Sequence, residues 1–277
     1  MTAARQLLLI GEQAVGKTHY GAQALKRLLT TDGTLQMRGA ASDIEPYEEA
    51  MVRLSMGLAA THTPTNRYVE SRWPVVTDIG LEAELIWPDY GGEQVLEITR
   101  RRCLEPKWVE RATASDSWIF MIRSSQTHQA DDIFSRPLGG LTPQDADAPG
   151  PLSDQARLVE LLQFLLYCRS AKRDQPLTRP RLTILLSCWD ELTNPGRPLE
   201  ALGRTAPLLR AFVESNWHPD SLNVLGLSAL ERALDRETPD MDFARRGPEN
   251  FGYVVRANGE VSRDLLEPLS SALRDLG

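Results

Sequence analysis

The chain of 277 residues is 42% hydrophobic and 25% charged, which is ordinary for a globular protein of one domain. Its formal net charge of -7 argues against a surface that binds nucleic acid or an anionic membrane. No apolar run approaches the roughly 20 residues of a membrane span, and the run near the N-terminus is too short for a signal peptide. The three cysteines are scattered and predict no disulfide framework, so we expect a cytoplasmic protein.

The first half of the chain predicts alternating strands and helices with a β-hairpin among them. Two segments of alternating apolar and polar residues flank the tight turn Asp78-Ile79-Gly80 and indicate the hairpin. Apolar residues at helical spacing predict the helices, and continuous apolar runs predict buried strands. In order, the predicted elements are a strand at 5–10, helices at 17–30 and 43–58, strands at 68–78 and 81–88, a helix at 92–112 and a strand at 117–123.

The second half begins with a segment of different character. Residues 124–152 are rich in proline, glycine and aspartate, and predict a long mobile loop. Beyond it, regular elements resume. They are a helix at 153–171, a buried strand at 182–189, a helix at 200–217, a buried strand at 222–228, a polar irregular segment at 231–250 and a closing helix at 264–276.

This order of elements predicts an α/β fold in a single domain over residues 1–277. Most of the strands are apolar throughout, which is typical of a mainly parallel sheet covered by helices on both faces. We predict six strands, with one antiparallel strand of the hairpin at an edge. Three additions to this core are expected: a helical insertion at about 31–60, the mobile loop at about 124–152 and the irregular segment at about 231–250.

The strongest motif is GEQAVGKT at residues 11–18, which satisfies G-x-x-x-x-G-K-[ST]. It follows a strand and opens a helix, so its backbone N–H groups and the helix dipole are predicted to hold phosphates. Lys17 is predicted to reach the β- and γ-phosphates, and the Thr18 hydroxyl to bind Mg²⁺. A mere strand–helix turn is the alternative. The residues of this segment predicted to contact the nucleotide are Gly11, Gln13, Ala14, Val15, Gly16, Lys17, Thr18 and His19. For His19 the alternative is a position on the helix surface.

Three weaker motifs follow the phosphate loop. Asp89 and Gly92 in WPDYGGE form a D-x-x-G whose carboxylate suits a magnesium-bound water and whose glycine N–H suits a γ-phosphate. Asp190 in LLSCWDEL suits the two N–H donors of a guanine edge and would repel adenine, and a helix N-cap is the alternative. Ser228 and Ala229 follow the last buried strand, where a backbone N–H could meet the guanine carbonyl.

In this order the four motifs resemble the G1, G3, G4 and G5 boxes of translation-factor-like and Ras-like GTPases. The resemblance covers most of residues 5–230, and GKTHYGAQ, DYGGEQ and SCWDEL resemble more narrowly the double-GTPase families of bacterial conflict systems. It implies a Ras-like P-loop GTPase fold, GTP or GDP and Mg²⁺ as ligands, and a molecular switch that regulates a defence effector. A protein effector or activating partner would contact switch regions 60–72 and 89–105, and a homodimer is left open.

The resemblance also implies a switch I threonine that meets the γ-phosphate and Mg²⁺. In such GTPases it precedes the D-x-x-G aspartate by roughly 20–25 residues, which favours Thr65, with Thr63 second and ordinary loop threonines as the alternative. The predicted catalytic set is Lys17, Thr65, Gly92 and Glu93, and the predicted metal ligands are Thr18, Thr65 and Asp89.

The chain departs from the Ras-like pattern at both ends of the nucleotide. In the base box, Ser187-Cys188-Trp189-Asp190, Cys188 replaces the lysine that packs over the base, and Trp189 either covers the base or lies in the core. Glu93 replaces the glutamine that orients water, and either supports or hinders hydrolysis; Gln13 replaces a small glycine. These departures indicate slow hydrolysis, and they keep two alternatives open: a binding module that does not hydrolyse GTP, and a P-loop ATPase.

Overall fold

The structure, a computed structural model, describes residues 5–30, 33–61, 68–90, 93–127, 153–169 and 175–273. For six of them only the backbone is described: 68, 69, 88–90 and 93. The strands of the described residues are β1 (Arg5–Gly11), β2 (Leu35–Met37), β3 (Tyr68–Thr77), β4 (Glu82–Tyr90), β5 (Ser117–Arg123), β6 (Arg181–Ser187), β7 (Leu222–Ser228), β8 (Tyr253–Val255) and β9 (Val261–Ser262). The α-helices are α1 (Lys17–Thr30), α2 (Glu45–Ser55), α3 (Glu93–Arg101), α4 (Pro106–Ala114), α5 (Asp154–Cys168), α6 (Pro198–Thr205), α7 (Pro207–Asn216), α8 (Met241–Arg246) and α9 (Glu267–Leu273).

These strands form one sheet of nine in the order β2-β3-β4-β1-β5-β6-β7-β8-β9. β4, β1, β5, β6 and β7 run parallel, and the strands on either side of them are antiparallel. The six predicted strands lie side by side within it, so the α/β class is confirmed. The prediction of six strands with an antiparallel edge is wrong, because β2 covers β3 on one side and β8 and β9 extend the other.

The parallel strands are apolar throughout because both faces of the sheet are covered. Successive residues of a strand point to opposite faces. In β1, Leu8 and Ile10 pack into one hydrophobic cluster, with residues of α4, α5, α6 and α7. Leu7 and Leu9 pack into a second cluster, with residues of α1 and α9. The P-loop strand is therefore fixed from both sides.

An aromatic cluster joins α1 and α2 to the hairpin. The rings of Trp73 and Trp87 stack with centroids 4.9 Å apart, and Tyr47 of α2 meets Trp73 edge-on at 5.4 Å. Tyr20 of α1 packs against Trp87 at 5.5 Å. The segment 31–60, predicted as a helical insertion, contains β2 as well as α2, and this cluster attaches it to the sheet.

Proline divides two predicted helices. The helix predicted at 92–112 is two helices, with Arg102 in a left-handed conformation and Pro106 opening α4. The helix predicted at 200–217 is also two, α6 and α7, separated at Ala206 and restarted at Pro207. Proline lacks an N–H and disfavours helical conformation in the residue before it, so an apolar periodicity that continues across it does not keep one helix continuous.

The segment predicted as irregular, 231–250, contains α8. Asp240 caps this helix, because its carboxylate accepts the N–H of Phe243 at 2.9 Å. The buried ring of Phe243 stacks on Phe251 with centroids 4.4 Å apart and anchors the otherwise largely exposed helix. The closing helix is confirmed at Glu267–Leu273, within the predicted range.

The predicted mobile loop at 124–152 begins with a 3-10 turn at Ser124–Gln126, and residues 128–152 lie outside the described residues. None of the helices in the described part of the chain combines the length and apolar character that a membrane crossing requires.

Candidate nucleotide-binding site

The phosphate-loop motif forms a tight turn between β1 and α1. Ala14 and Gly16 have φ angles of 60° and 86°, and Gly16 is free to adopt this left-handed conformation because it lacks a Cβ. The Lys17 ammonium donates to the carbonyl oxygens of Gly11 and Glu12, at 2.9 and 2.8 Å. The loop therefore curls around its own lysine, with the first turn of α1 directed at the space in front of it.

A cavity of 380 Å³ lies at the carboxyl edge of the parallel strands, in front of this loop. Ligands of open α/β sheets bind at this edge. The structure brings most of the predicted nucleotide-contacting residues to it. From the predicted set, the lining includes Gln13, Ala14, Val15, Gly16, Lys17, Thr18, His19, Ser187, Asp190 and Ala229. Gly11, Trp189 and Ser228 are not in the lining, and they support it from behind.

Asp190 is held in place by the last residue of the next strand, β7. The Ser228 hydroxyl donates to Asp190 Oδ1, and the same hydroxyl accepts the backbone N–H of Glu231 at 2.9 Å. Ser228 is fully buried, whereas Asp190 is exposed to the cavity. The two predicted base-reading motifs are therefore coupled by one hydrogen bond that orients the carboxylate.

Trp189 lies in the core. Its side chain is only 5% exposed and belongs to the cluster behind the base box. Gly226 of β7 makes room for it, since a Cβ at that position would lie 2.6 Å from two atoms of the indole ring. Of the two alternatives for this residue, the structure places Trp189 beneath the base-box loop and not over the cavity.

His19 is partly buried and is not simply a residue of the helix surface. Its Nε2 accepts the backbone N–H of Ala60 at 2.9 Å, and it lines the cavity. Burial, together with the nearby charge of Arg236, lowers the pKa of His19 to about 4, so the ring is neutral at pH 7. The N–H of Ala59 donates to the carbonyl of Asp235 at 2.8 Å. The residues just before the predicted switch I are thus fixed to α1 and to the segment after β7.

A partly buried ion pair supports the phosphate loop from the side of α5. Glu12 pairs with Arg157, which also bonds Asp154 at 2.6 Å. Burial raises the pKa of Glu12, and Arg157 opposes this shift. The carboxylate lies next to Lys17, whose charge also favours its ionised form.

Arg123 is a cavity residue that the sequence analysis did not select. It is the last residue of β5, and its guanidinium bonds both Glu191, which directly follows the base box, and the carbonyl of Ala14 in the phosphate loop, the latter at 3.2 Å. The only signal in the sequence was a charge at the end of an otherwise apolar strand, SWIFMIR.

The predicted switch residues are only partly described. β4 runs parallel to β1 with Ile86 beside Leu8, so Asp89, three residues further, is level with Gly11 at the start of the loop. The backbone of Glu93 opens α3. The side chains of Asp89 and Glu93 are not described, and Thr63, Thr65 and Gly92 lie outside the described residues.

The phosphate loop lies at the carboxyl edge of a mixed sheet with a parallel centre, and it faces the anchored Asp190 across one cavity. This arrangement defines an α/β protein of the P-loop GTPase-like class. The family model that matches the chain is Double-GTPase 1, over residues 8–272. The chain therefore belongs to the Double-GTPase 1 family, which makes it a GTP-binding protein. No individual curated protein matches it.

Proposed function

We propose that the protein binds GTP with Mg²⁺ in the 380 Å³ cavity, hydrolyses it slowly and acts as a nucleotide-controlled switch. The observation that carries this proposal is the common cavity, which the phosphate loop lines at one end and Asp190 at the other. In this arrangement Lys17 exchanges its bonds to two loop carbonyls for the β- and γ-phosphates. Gly11 ends β1, and the N–H groups of residues 13–19 would face the phosphates.

Guanine selection is assigned to Asp190. Its carboxylate would accept the N1–H and N2–H of guanine, and adenine lacks that pair of donors. Ser228 holds the carboxylate by its hydroxyl, and the N–H of Ala229 lies at the same end of the cavity to meet the guanine carbonyl. An ATPase is the weaker alternative, because a carboxylate at this position repels the acceptor on the adenine edge.

The residues near the loop fit Mg²⁺, which binds oxygen ligands and keeps several waters. Thr18 presents a hydroxyl in the first turn of α1, and the backbone of β4 brings Asp89 level with Gly11. Thr65 would complete the protein ligands. When bound, the ion neutralises charge on the phosphate oxygens. The chain's own residues hold it and orient the nucleotide.

Hydrolysis is assigned to Gly92 and to Glu93, whose backbone opens α3. The N–H of Gly92 would bond the γ-phosphate, and Glu93 would accept a proton from water or repel the phosphate. Gln13, which is exposed in the cavity, occupies space that a glycine would leave to water. These features favour slow turnover, and the second candidate function is a binding module without hydrolysis.

The switch would act through residues 60–72 and 89–105. Gly57 and Ala59 are held by the segment after β7, since Asp240 donates its N–H to the carbonyl of Gly57 at 2.9 Å and Ala59 donates to the carbonyl of Asp235 at 2.8 Å. These bonds fix the residues that lead into the switch region 60–72. We assign the output to a protein partner in a bacterial defence system and the location to the cytoplasm, and a homodimer fits the same proposal.

Titration with a fluorescent GTP analogue and Mg²⁺ tests the site. Lys17→Ala should weaken binding about 100-fold, because charge-assisted hydrogen bonds to the phosphates are lost. Lys26→Ala is the matched control: it removes the same charge from the same helix, where Lys26 pairs with Glu249 at 2.7 Å, away from the cavity. Equal affinity of the Lys17→Ala variant and the wild type would refute the site. Single-turnover phosphate release then separates a GTPase from a binding module.

A further inference from the structure

Arg123 joins the two ends of the cavity. Its Nε donates to Glu191 Oε2 at 3.0 Å and its Nη2 donates to the other oxygen of the same carboxylate. Its Nη1 donates to the Ala14 carbonyl at 3.2 Å. Because three N–H groups of one planar guanidinium are bound at its edge, the plane of the group is fixed between the phosphate loop and the base box.

The carboxylate that holds Arg123 is itself held. Ser125 donates its hydroxyl to Glu191, and the bond from Arg123 lowers the pKa of Glu191. The same bond raises the pKa of Arg123, so both groups stay ionised across the physiological range. The Arg123 side chain is 24% exposed, and it lines both the 380 Å³ cavity and a neighbouring cavity of 140 Å³. The bonds at the edge of the guanidinium leave its faces for packing.

The base box has no cation of its own. Cys188 stands where Ras-like proteins have the lysine that packs over the base. Burial raises the pKa of the Cys188 thiol to about 11, so it is uncharged at neutral pH. Trp189 is in the core beneath the loop. If a purine binds between Ala14 and Asp190, the flat polar group beside its ring would therefore be the guanidinium of Arg123.

We propose that Arg123 packs its guanidinium plane against the purine of the bound nucleotide and so replaces the missing base-box lysine from a neighbouring strand. Guanidinium planes stack on nucleobases, and such stacking tolerates different bases. Arg123 thus contributes affinity for any purine, whereas Asp190 selects guanine. This inference rests on the proposed function, because it assumes that a nucleotide occupies the cavity.

The test compares two probes in the presence of Mg²⁺: GTP, and inorganic tripolyphosphate, which has no base. Arg123→Ala should weaken GTP binding about tenfold, in the range of cation and stacking contacts, and leave tripolyphosphate affinity unchanged. The wild type should bind ATP more weakly than GTP, and Arg123→Ala should reduce the affinity for ATP by the same factor. Arg123→Met keeps the apolar stem and removes only the guanidinium, so it should reproduce the loss if the alanine variant folds poorly.

Arg179→Ala is the matched control, because Arg179 pairs with Asp116 at 3.0 Å, outside the cavity lining. It should bind both probes like the wild type. Equal losses for GTP and tripolyphosphate would overturn the proposal, since Arg123 would then act through Ala14 and the phosphate loop. Unchanged GTP affinity in the Arg123 variants would overturn it as well. A wild-type protein that binds tripolyphosphate but no nucleotide would instead refute the proposed function.

Discussion

Gly226→Ala tests how the base box is supported. A Cβ at Gly226 would lie 2.6 Å from Cδ2 and Cε3 of the Trp189 ring and 3.1 Å from Cε2. Unbonded carbon atoms are most stable about 3.5–4.0 Å apart, so the ring would have to retreat by roughly 1 Å. Trp189 is packed in the core, and protein interiors contain few voids larger than a water molecule. Overpacking of this kind costs about 1–3 kcal/mol.

The expected result is a lower melting temperature. In a chain of this size 1 kcal/mol corresponds to about 2–4 °C, so the variant should melt roughly 2–12 °C below the wild type. Circular dichroism at 222 nm and differential scanning calorimetry both measure this. Because Asp190 directly follows Trp189, affinity for GTP should fall too, whereas affinity for tripolyphosphate should not.

Gly203→Ala is the control. The atoms nearest to a Cβ at Gly203, within α6, would belong to the side chain of Arg210, with Nη1 at 2.7 Å and Cδ at 3.1 Å, and that flexible side chain can move. Alanine also favours a helix over glycine by up to about 1 kcal/mol. This variant should melt at or above the wild-type temperature. If Gly226→Ala melts with the wild type, the packing argument is refuted.

Three further predictions concern the cavity. Asp190→Asn should shift preference from GTP towards xanthosine triphosphate, whose edge presents the opposite pattern, and competition binding would show an unchanged preference if Asp190 only caps a turn. Glu93→Ala should slow single-turnover hydrolysis at least tenfold if Glu93 is a base. If the variant instead binds GTP more tightly and hydrolyses it at an unchanged rate, Glu93 is a repulsive charge. Faster hydrolysis by Glu93→Gln would show that the carboxylate hinders turnover. The folded pKa of His19 is about 4, below its unfolded value of 6.5, so the unfolded state binds more protons between these values and stability falls as pH drops from 6.5 to 4. His19→Gln keeps an acceptor for Ala60 and should flatten this slope in urea titrations; an equal slope in both proteins would contradict the assignment.

The strands that form the centre of the sheet could be predicted because each one carries its own signal. β1, β5, β6 and β7 are continuous apolar runs, and burial on both faces demands such runs. β2, β8 and β9 have two or three residues each, and they exist because a neighbouring strand offers unpaired backbone groups. Such pairing depends on the fold and leaves little trace in a short segment.

The candidate site divides in the same way. The phosphate loop and Asp190 are local patterns, and the structure brings both to one cavity. Arg123 was missed because its position depends on contacts with Ala14 and Glu191, which are 109 and 68 residues away along the chain. The sequence left the position of Trp189 open for the same reason, because its place in the core depends on the absence of a side chain at Gly226.

The bond between Tyr20 and Leu265 has a consequence for synthesis of the protein. The Tyr20 hydroxyl, in the helix that follows the phosphate loop, donates to the Leu265 carbonyl at 3.0 Å across 245 residues. Ribosomes add about 5–20 residues per second, so roughly 12–50 s separate the making of the two partners. Until residue 265 has emerged from the ribosome, the segment that buries Tyr20 and its apolar neighbours is missing. Chaperones can bind these exposed residues during that time. The phosphate loop and α1 are thus translated early, but the C-terminal segment that packs against α1 is added only late.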